Sequence, residues 1–407
     1  MIPLETALLA GLGRVDSRAD QVTGVQVDSR RIVPGDLFVA VGRGTAFLAD
    51  ALRRGAVATL VPDDPFAALA RIGSAIRDRS SAQVVGITGS MGKTSTKDIL
   101  AALCMPSART VAAEASYNNE IGVPLTLCRL EPGTEVCILE LAMRGFGQIA
   151  ALCAIARPEI GVITNVGPVH LELVDSLEGV RRAKGELIAA LPAGGTAVVP
   201  RDFPVERDDI DVVRLGEPEV RVAGGRTELA GVSFNFTASH QAQNAAAALA
   251  GLDALGLPRP AAVDVDFSRW RGDEDELPGG GLLINDAYNA NPVSMRAALA
   301  YLAERAGDRR RVAILGDMAE LGRTAPDYHR EIGEAAAELG IDELLAVGEL
   351  ARGYLERGVP GRWAANVHEA IRELDDIVRP GDAVLVKASR AVGLEAVAAA
   401  LTELATA

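Results

Sequence analysis

Three runs of apolar residues in the middle of the chain have the length of a β-strand: Val84–Thr88, Val136–Leu141 and Ile160–Thr164. Each run is followed by a loop and then by sequence with helical periodicity, and the last such helix is predicted over 243–255. Continuous rather than alternating hydrophobicity is typical of strands that are buried on both faces. The pattern therefore predicts a parallel sheet flanked by helices in this part of the chain.

The residues before and after this region follow different patterns. Between residues 22 and 62, short apolar runs alternate with polar turns, which predicts a small α/β unit with a helix over Phe47–Gly55. After the glycine-rich stretch at 278–281, four more strand-length runs are separated by long Ala-rich helices, which predicts a second doubly wound domain. These runs are Leu282–Asn285, Arg311–Leu315, Glu343–Val347 and Ala383–Lys387.

A chain of 407 residues is too long for one ordinary hydrophobic core. We therefore predict an α/β protein with three domains. The first, over 1–80, is a small α/β domain. The second, over 81–275, contains the parallel sheet, and the third, over 276–407, is a Rossmann-like doubly wound domain.

Composition narrows the kinds of partner that the protein can have. The formal net charge is −14 and no run of Lys and Arg occurs, which argues against a nucleic-acid partner. No apolar stretch is long enough to span a bilayer, and the first fourteen residues lack the basic start of a signal peptide. We expect a cytoplasmic monomer with no membrane partner.

The four cysteines lack CxxC spacing, so we expect them to be small buried apolar side chains: Cys104, Cys128, Cys137 and Cys153.

The strongest chemical signal is the segment that follows the first central strand. Gly89-Ser-Met-Gly-Lys-Thr94 stands between a predicted strand and an amphipathic helix over Ser95–Leu103, which is the context of a phosphate-binding loop. Glycines allow backbone N–H groups to converge on phosphate oxygens, and the helix dipole adds positive charge. Lys93 is expected to reach the β- and γ-phosphates, and the Thr94 hydroxyl to bind Mg²⁺. The usual first glycine of the motif is replaced by Ile87.

Two further residues follow the ends of the neighbouring strands. Glu140 ends one apolar run, and His170 comes after Ile160–Thr164 and a turn. Because residues beyond the carboxyl ends of parallel strands converge on one crevice, Thr94, Glu140 and His170 could share a site as Mg²⁺ ligands. A solvated Glu140 and a His170 that only hydrogen-bonds within its turn are the alternatives.

Lys184 falls in the middle of the apolar face of a helix predicted over Ser176–Leu191. A lysine in this position either extends to water or has its charge compensated, and periodicity alone leaves both possibilities open. Gly185 beside it costs the helix about 1 kcal/mol relative to alanine, which predicts that another group approaches closely there.

Seven segments of the sequence resemble the Mur ligases, in order and over most of the chain. The last two of them, together with Asn118–Leu125, resemble the branch of the family that adds D-alanyl-D-alanine. The segments are Thr88–Thr94, Asn118–Leu125, Leu139–Leu141, Thr164–His170, Ala183–Glu186, Asp286–Pro292 and Gly316–Gly322.

The resemblance implies an ATP-dependent ligase with three domains, of which the central one is a P-loop ATPase domain. It implies that D-alanyl-D-alanine is joined to UDP-N-acetylmuramoyl tripeptide through an acyl phosphate, with two Mg²⁺ ions. In this scheme the first domain binds the UDP end of the tripeptide substrate, and the third binds the dipeptide. The resemblance further implies that the reaction belongs to peptidoglycan precursor synthesis.

The resemblance also assigns roles to individual residues. Lys93, His170 and a carbamylated Lys184 are implied to be catalytic, since Lys184 stands at the position of the family's carbamylated lysine. The implied metal ligands are Thr94, Glu140, His170 and Lys184. The implied ATP-binding residues are Thr88, Gly89, Ser90, Met91, Gly92, Lys93, Thr94, Ser95, Asn244, Arg271, Asp286 and Asn289. The implied substrate-binding residues are Ser29, Arg30, Asn118 and Asn119.

Two segments depart from the family pattern. Gln241 stands where the family often has an asparagine, and the segment 42–46 is shorter than the family's loop and lacks its Asp-Gly-His element. The alternatives are another Mur-superfamily ligase, such as a folylpolyglutamate synthase-like enzyme, a nucleotide-dependent switch, or a degenerate paralogue without catalysis. The turn Asp28–Arg30 argues against a folate ligase, because folate ligases begin directly with the ATP domain.

Overall fold

The computed structural model describes residues 1–268 and 272–404. Contacts between residues group the chain into two compact units. The first consists of Met1–Asn165, Arg182–Thr237 and Ala242–Asp266, and the second consists of Val166–Arg181, Ala238–Gln241 and the chain from Phe267 onwards. Within the described residues, no helix is both long and apolar enough to cross a membrane.

The N-terminal part of the first unit is a mixed four-stranded sheet. The order is β2-β6-β5-β4, with β2 antiparallel to β6 and the other pairs parallel, while β1 and β3 form a separate antiparallel pair. The strands are β1 Leu4–Glu5, β2 Gly13–Ser17, β3 Gln21–Val22, β4 Gly24–Gln26, β5 Asp36–Val39 and β6 Ala58–Pro62. The helices are α1 Leu48–Arg53 and α2 Pro65–Arg77.

The larger part of the first unit is a six-stranded parallel sheet in the order β12-β11-β10-β7-β9-β8. The continuous apolar runs form its centre, since every residue of β9 and β10 is buried. The strands are β7 Gln83–Thr88, β8 Thr110–Ala112, β9 Val136–Glu140, β10 Ile160–Ile163, β11 Thr196–Pro200 and β12 Asp211–Leu215. The helices along this stretch are α3 Lys93–Cys104, α4 Gly122–Leu127, α5 Gln148–Ala156, α6 Leu171–Val174 and α7 Leu177–Ala189.

A small four-stranded sheet in the order β13-β14-β15-β16 follows and was not predicted. Its first three strands are antiparallel neighbours, and its last strand is added after the helix α8. The elements are β13 Val220–Ala223, β14 Arg226–Leu229, β15 Val232–Phe234, α8 Ser239–Ala254 and β16 Ala262–Val263.

The second unit contains a six-stranded sheet in the order β17-β18-β22-β19-β20-β21, parallel except for β17. Its two faces are both covered, because Val312 and Ile314 pack into one apolar cluster and Ala313 and Leu315 into another. This is the predicted doubly wound arrangement. The strands are β17 Asp273–Leu277, β18 Gly281–Asn285, β19 Arg311–Gly316, β20 Glu343–Val347, β21 Gly361–Ala364 and β22 Ala383–Lys387. The helices are α9 Pro292–Ala306, α10 Ala325–Glu338, α11 Val367–Arg372, α12 Leu374–Ile377 and α13 Glu395–Leu404.

The cysteines confirm the prediction from composition. All four are buried and none forms a disulfide. Burial raises the pKa of each thiol to about 12, so these side chains behave as small apolar groups rather than as nucleophiles.

Candidate active site

The loop Thr88–Thr94 joins β7 to α3, and close contacts require both of its glycines. Gly92 has a φ of +76°, and a Cβ there would lie 2.1 Å from Asn244 Oδ1. A Cβ on Gly89 would lie 1.9 Å from Thr164 Oγ1. Since the first N–H groups of a helix have no partners within it, a loop of this shape at the start of α3 can accept an anion.

The end of β10 holds this loop in place. Asn165 is bonded to Met91 twice, because its Oδ1 accepts from the Met91 amide at 3.0 Å and its Nδ2 donates to the Met91 carbonyl at 3.1 Å. Thr164 Oγ1 donates to the same carbonyl at 2.6 Å, and the Ser90 amide donates to the carbonyl of Asn165 at 3.2 Å. The loop is therefore fixed without a ligand. Thr164 and Asn165 belong to the family-like segment Thr164–His170, but no role was predicted for either residue.

Glu140 lies at the centre of a hydrogen-bonded group of three side chains. Thr94 Oγ1 donates to Glu140 Oε2 and Asn118 Nδ2 donates to Glu140 Oε1, both at 2.8 Å. Glu140 is 1% exposed, and within residues 1–268 and 272–404 no cationic group is paired with it. The structure thus places Thr94 against Glu140 and adds Asn118, while their roles as ligands stay predictions.

Lys184 lies inside the protein on α7 and is 2% exposed. The residues on its helix face are buried as the periodicity predicted, and no described residue provides Lys184 with a hydrogen bond or an ion pair. Burial, and secondarily the charge of Lys93, lowers the pKa of Lys184 well below its usual range. A lowered pKa favours the uncharged amine, which is the form of lysine that can act as a nucleophile. The close approach predicted at Gly185 is wrong, because a Cβ there would meet only Phe203, at 3.8 Å.

Lys93 itself folds back over the loop. Its Nζ donates a hydrogen bond to the carbonyl oxygen of Gly89 at 2.8 Å. The described residues contain no group of three or more His, Cys, Asp or Glu side chains with the spacing of a metal site. A metal held near Glu140 would therefore need other oxygen donors, such as hydroxyl, phosphate or water oxygens, as its remaining ligands.

His170 belongs to the second unit, where it contacts Glu320, a residue for which no role was predicted from the sequence. Its Nδ1 forms a short hydrogen bond with the carboxylate of Glu320. Both residues have a left-handed backbone, with φ of +54° for His170 and +63° for Glu320. This conformation costs a non-glycine residue about 1–3 kcal/mol, and such strain often occurs at functional sites. How His170 lies relative to Thr94 and Glu140 stays a prediction.

The chain matches two descriptions of one protein family. Residues 87–252 match the Mur ligase middle domain, and residues 275–390 match the Mur ligase, glutamate ligase domain. The UDP-N-acetylmuramoyl-tripeptide–D-alanyl-D-alanine ligase of Synechocystis sp. is 33% identical, over 94% of this chain and 92% of its own. The chain belongs to the Mur ligase family.

Solved structures of the family agree with this assignment. MurF from Acinetobacter baumannii superposes with a TM-score of 0.86 at 27% identity, over 98% of this chain and 99% of its own. MurF from Thermotoga maritima, solved in complex with ADP, superposes with a TM-score of 0.78 at 27% identity, over 94% and 98%. The predicted three-domain α/β fold class is confirmed, while the boundaries after residues 80 and 275 stay predictions.

In the second unit of this Mur ligase, Asp286 has a buried lysine as its partner. Lys387 is 2% exposed, and its Nζ donates to Asp286 Oδ2 at 2.6 Å and to the carbonyl of Asn289 at 2.8 Å. The ammonium thus joins two residues for which the family resemblance implies ATP contacts. The sequence predicts only that Lys387 ends a strand, because its partners lie about a hundred residues earlier in the chain.

Two other predicted nucleotide-binding residues, and one residue that departs from the family pattern, have different outcomes. Asn244 is 8% exposed and its amide contacts the phosphate loop at Gly92. Gln241, which departs from the family pattern, is 5% exposed and lies in the first turn of α8. Arg271 lies outside the described residues.

Of the residues predicted to bind the tripeptide substrate, some are exposed to solvent and others hydrogen-bond within the protein. Arg30 is exposed and forms a bidentate pair with Asp28, which lowers the pKa of that carboxyl to about 2. Ser29 is 5% exposed and hydrogen-bonds Asp50. Asn119 caps the turn into α4, since its Oδ1 accepts from two backbone amides at 3.2 and 3.0 Å. The short segment before α1 forms a 3₁₀ helix over 42–47.

Proposed function

We propose that this chain joins D-alanyl-D-alanine to UDP-N-acetylmuramoyl tripeptide, with conversion of ATP to ADP and phosphate. The observation that carries the proposal is the group Thr94, Glu140 and Asn118 beside a preformed phosphate loop. The name of the Synechocystis relative supplies the two substrates, and the Thermotoga structure supplies the nucleotide, as ADP. We place the reaction in the cytoplasm and expect a monomer.

A nucleotide phosphate fits the loop. Gly89 and Gly92 leave no room for side chains, so the backbone can approach a phosphate closely. Thr88 Oγ1 is buried and has no hydrogen-bond partner among the described residues, which leaves a hydroxyl at the base of the loop. We infer that residues 88–95 hold the phosphates. We infer that Asn244 contacts the adenine and that Arg271 and Asp286 contact the phosphate and ribose side. Asn289 is a further proposed contact of ATP.

A divalent cation fits beside Glu140, because the buried carboxylate has hydroxyl and amide neighbours but no paired cation in the described part of the chain. Thr94 and Glu140 are the proposed ligands of one Mg²⁺ and His170 is a proposed ligand of the other, while Lys184 is a further proposed metal ligand. When bound, these ions would supply positive charge that offsets repulsion between phosphates and the carboxylate substrate. Glu320 would orient the imidazole of His170 from its other nitrogen.

Lys184 would take part in this site as a carbamate. Its neutral amine would attack the carbon of CO₂, so that a new N–C bond forms while one C=O π bond breaks and its electron pair moves to oxygen, and one proton of the amine leaves to solvent. The product has carboxylate-like oxygens in place of an ammonium group. This role explains why a lysine without a protein partner lies on the apolar face of α7.

The proposed reaction has two steps. An oxygen of the tripeptide's terminal carboxylate bonds to the γ-phosphorus of ATP, and ADP leaves. The amine of D-alanyl-D-alanine then bonds to the carbonyl carbon of the acyl phosphate, phosphate leaves, and the amine loses a proton. Lys93 would stabilise the transferring phosphoryl group through its ammonium. Ser29, Arg30, Asn118 and Asn119 are the proposed contacts for the tripeptide substrate.

Phosphate release tests this proposal directly. The protein is incubated with ATP, Mg²⁺, UDP-N-acetylmuramoyl tripeptide and D-alanyl-D-alanine, and phosphate and product mass are followed. We expect release that depends on both substrates and a product heavier by the dipeptide residue mass. Release no faster than in the dipeptide-free control would refute the proposal, and ADP binding by calorimetry would then show whether the loop still binds nucleotide.

A further inference from the structure

Lysine is rare in this chain and is confined to four positions. Of the 41 basic residues, only Lys93, Lys97, Lys184 and Lys387 are lysines, and arginine provides the rest. Lys97, Lys184 and Lys387 are each 2% exposed. Lys93 and Lys184 belong to the proposed reaction, and Lys387 joins Asp286 to Asn289. Lys97 is the remaining lysine, and nothing in the proposed reaction uses it.

Lys97 lies on α3, one helical turn after Lys93, and its ammonium group is fully bonded inside the protein. Nζ donates to the carbonyl of Ala113 at 2.7 Å and to that of Ala115 at 3.0 Å, and it pairs with Asp98 Oδ1 at 2.8 Å. Three acceptors match the three N–H groups of an ammonium ion. The lysine is therefore not extended towards water but clamps a neighbouring piece of backbone.

The clamped backbone is the segment 113–119, which leads from β8 towards α4. Ala115 is held at a φ of +45°, a left-handed conformation that disfavours residues with a Cβ. Three residues later, Asn118 donates its side-chain amide to Glu140, and its carbonyl accepts from the amide of Ala142 at 2.9 Å. The position of Asn118 thus depends on a strained segment that Lys97 holds.

These contacts connect segment 113–119 to the phosphate loop through Glu140. Thr94 and Lys97 lie three residues apart on α3. Thr94 bonds one oxygen of Glu140, and Asn118 bonds the other. Since Lys97 fixes the segment that carries Asn118, helix α3 determines the positions of both side chains that hydrogen-bond Glu140, namely Thr94 and Asn118.

We propose that Lys97 is a positioning residue that orients the Glu140 carboxylate through segment 113–119 and Asn118. The proposal rests on the proposed function, in which Glu140 faces the nucleotide and its cation. A buried ion pair adds little to stability compared with well-packed apolar residues, so stability alone is a weak reason for a lysine here. The compact ammonium also suits three convergent acceptors better than a planar guanidinium.

The test compares Lys97→Met with a matched control, Arg77→Met. Arg77 is 8% exposed and also donates to backbone carbonyls, those of Ala156 and Ala82 among them, but none of these leads to Glu140. Hydrogen–deuterium exchange is measured on the protein without nucleotide or metal. We expect faster exchange over 113–119 and at the Ala142 amide in Lys97→Met and wild-type exchange there in Arg77→Met. Should Lys97→Met fail to fold, Lys97→Gln is used, which keeps one donor group.

Enzyme kinetics distinguish a lysine that positions Glu140 for catalysis from one that only holds segment 113–119 in place. We expect Lys97→Met to lower kcat by about 10- to 100-fold, with the KM for D-alanyl-D-alanine unchanged. In an Asn118→Ala background the same substitution should add little, because both changes release Glu140. Wild-type kcat in a variant with fast exchange would overturn the proposal, and so would equal losses of kcat in both backgrounds. If the wild type shows no dipeptide-dependent phosphate release, the proposed function fails, while unchanged exchange over 113–119 would still refute the clamp.

Discussion

Replacing Lys184 with methionine should stabilise the protein while it abolishes catalysis. Methionine has nearly the same length and no charge, so it can fill the space of the lysine on the apolar face of α7. The lysine is 2% exposed and has no hydrogen-bond or ion-pair partner among the described residues. The folded wild type therefore bears the desolvation cost of an amine, and the variant does not.

The size and pH dependence of the effect follow from this environment. Burying a polar group without a hydrogen bond costs about 1–3 kcal/mol in protein mutational data, and we expect Lys184→Met to recover a gain of that order at neutral pH. The folded-state pKa of Lys184 is lowered, so between that pKa and the ordinary lysine pKa the unfolded chain binds one more proton than the folded chain. Wild-type stability should then rise with pH towards the ordinary lysine pKa of about 10.4. The advantage of the variant should shrink over the same range.

Thermal unfolding of both proteins from pH 6 to 10, in CO₂-free buffer and with added bicarbonate, tests these expectations. A gain of 1 kcal/mol corresponds to about 2–4 °C in Tm for a domain of 150–250 residues. In bicarbonate the wild type should gain a carbamate oxygen pair, which the methionine variant cannot form. A variant less stable than wild type at pH 7, with a Tm difference independent of pH, would refute the reasoning. It would mean that the amine is charged and compensated in the folded protein.

Three further perturbations test other parts of the site. Lys184→Ala should lose most activity and regain part of it with short carboxylic acids such as acetate, whereas rescue by amines would show that the lysine acts as a cation. Gly92→Ala should weaken ADP binding in calorimetry at least about tenfold, since its Cβ would clash with Asn244 and its backbone would be strained by about 1–3 kcal/mol; wild-type affinity would contradict the close contact. Lys387→Met should lower the free energy of unfolding in urea by about 3 kcal/mol, because it leaves Asp286 unpaired beside a buried site. A change below about 0.5 kcal/mol would show that the pair is solvated.

The strands that the sequence predicted are those whose apolar runs are continuous. Both faces of β9 and β10 are buried, so every residue carries the signal. Edge strands were missed because they lack it. Most of β12 is exposed, and β17 is a run of acidic residues. In β17 the charge is compensated from α9, where Arg305 pairs with Glu274, and no local pattern reveals such a partner.

In the candidate site, too, some features could be predicted from the sequence and others could not. The burial of Lys184 could be predicted, because helical periodicity places it among apolar residues of one helix. The contacts of Asn118 with Glu140 and of His170 with Glu320 could not, since they join residues 22 and 150 positions apart. The family resemblance predicts Asn118 as a substrate contact. Its hydrogen bond to the carboxylate of Glu140 is visible only in the folded chain.

The distribution of lysine gives a physical reason for assigning Lys97 and Lys184 to the chemistry of the site rather than to the stability of the fold. Arginine serves for exposed ion pairs, because it stays charged and forms bidentate bonds. A guanidinium cannot lose its proton near neutral pH, so it could not become the neutral nucleophile proposed at Lys184. It is planar, so it matches three convergent acceptors at Lys97 less well than an ammonium does. Where both properties are dispensable the chain has arginine, as at the buried Arg77. Lys184 and Lys97 are therefore lysines for the two reasons proposed above, deprotonation at the first and a compact charge at the second.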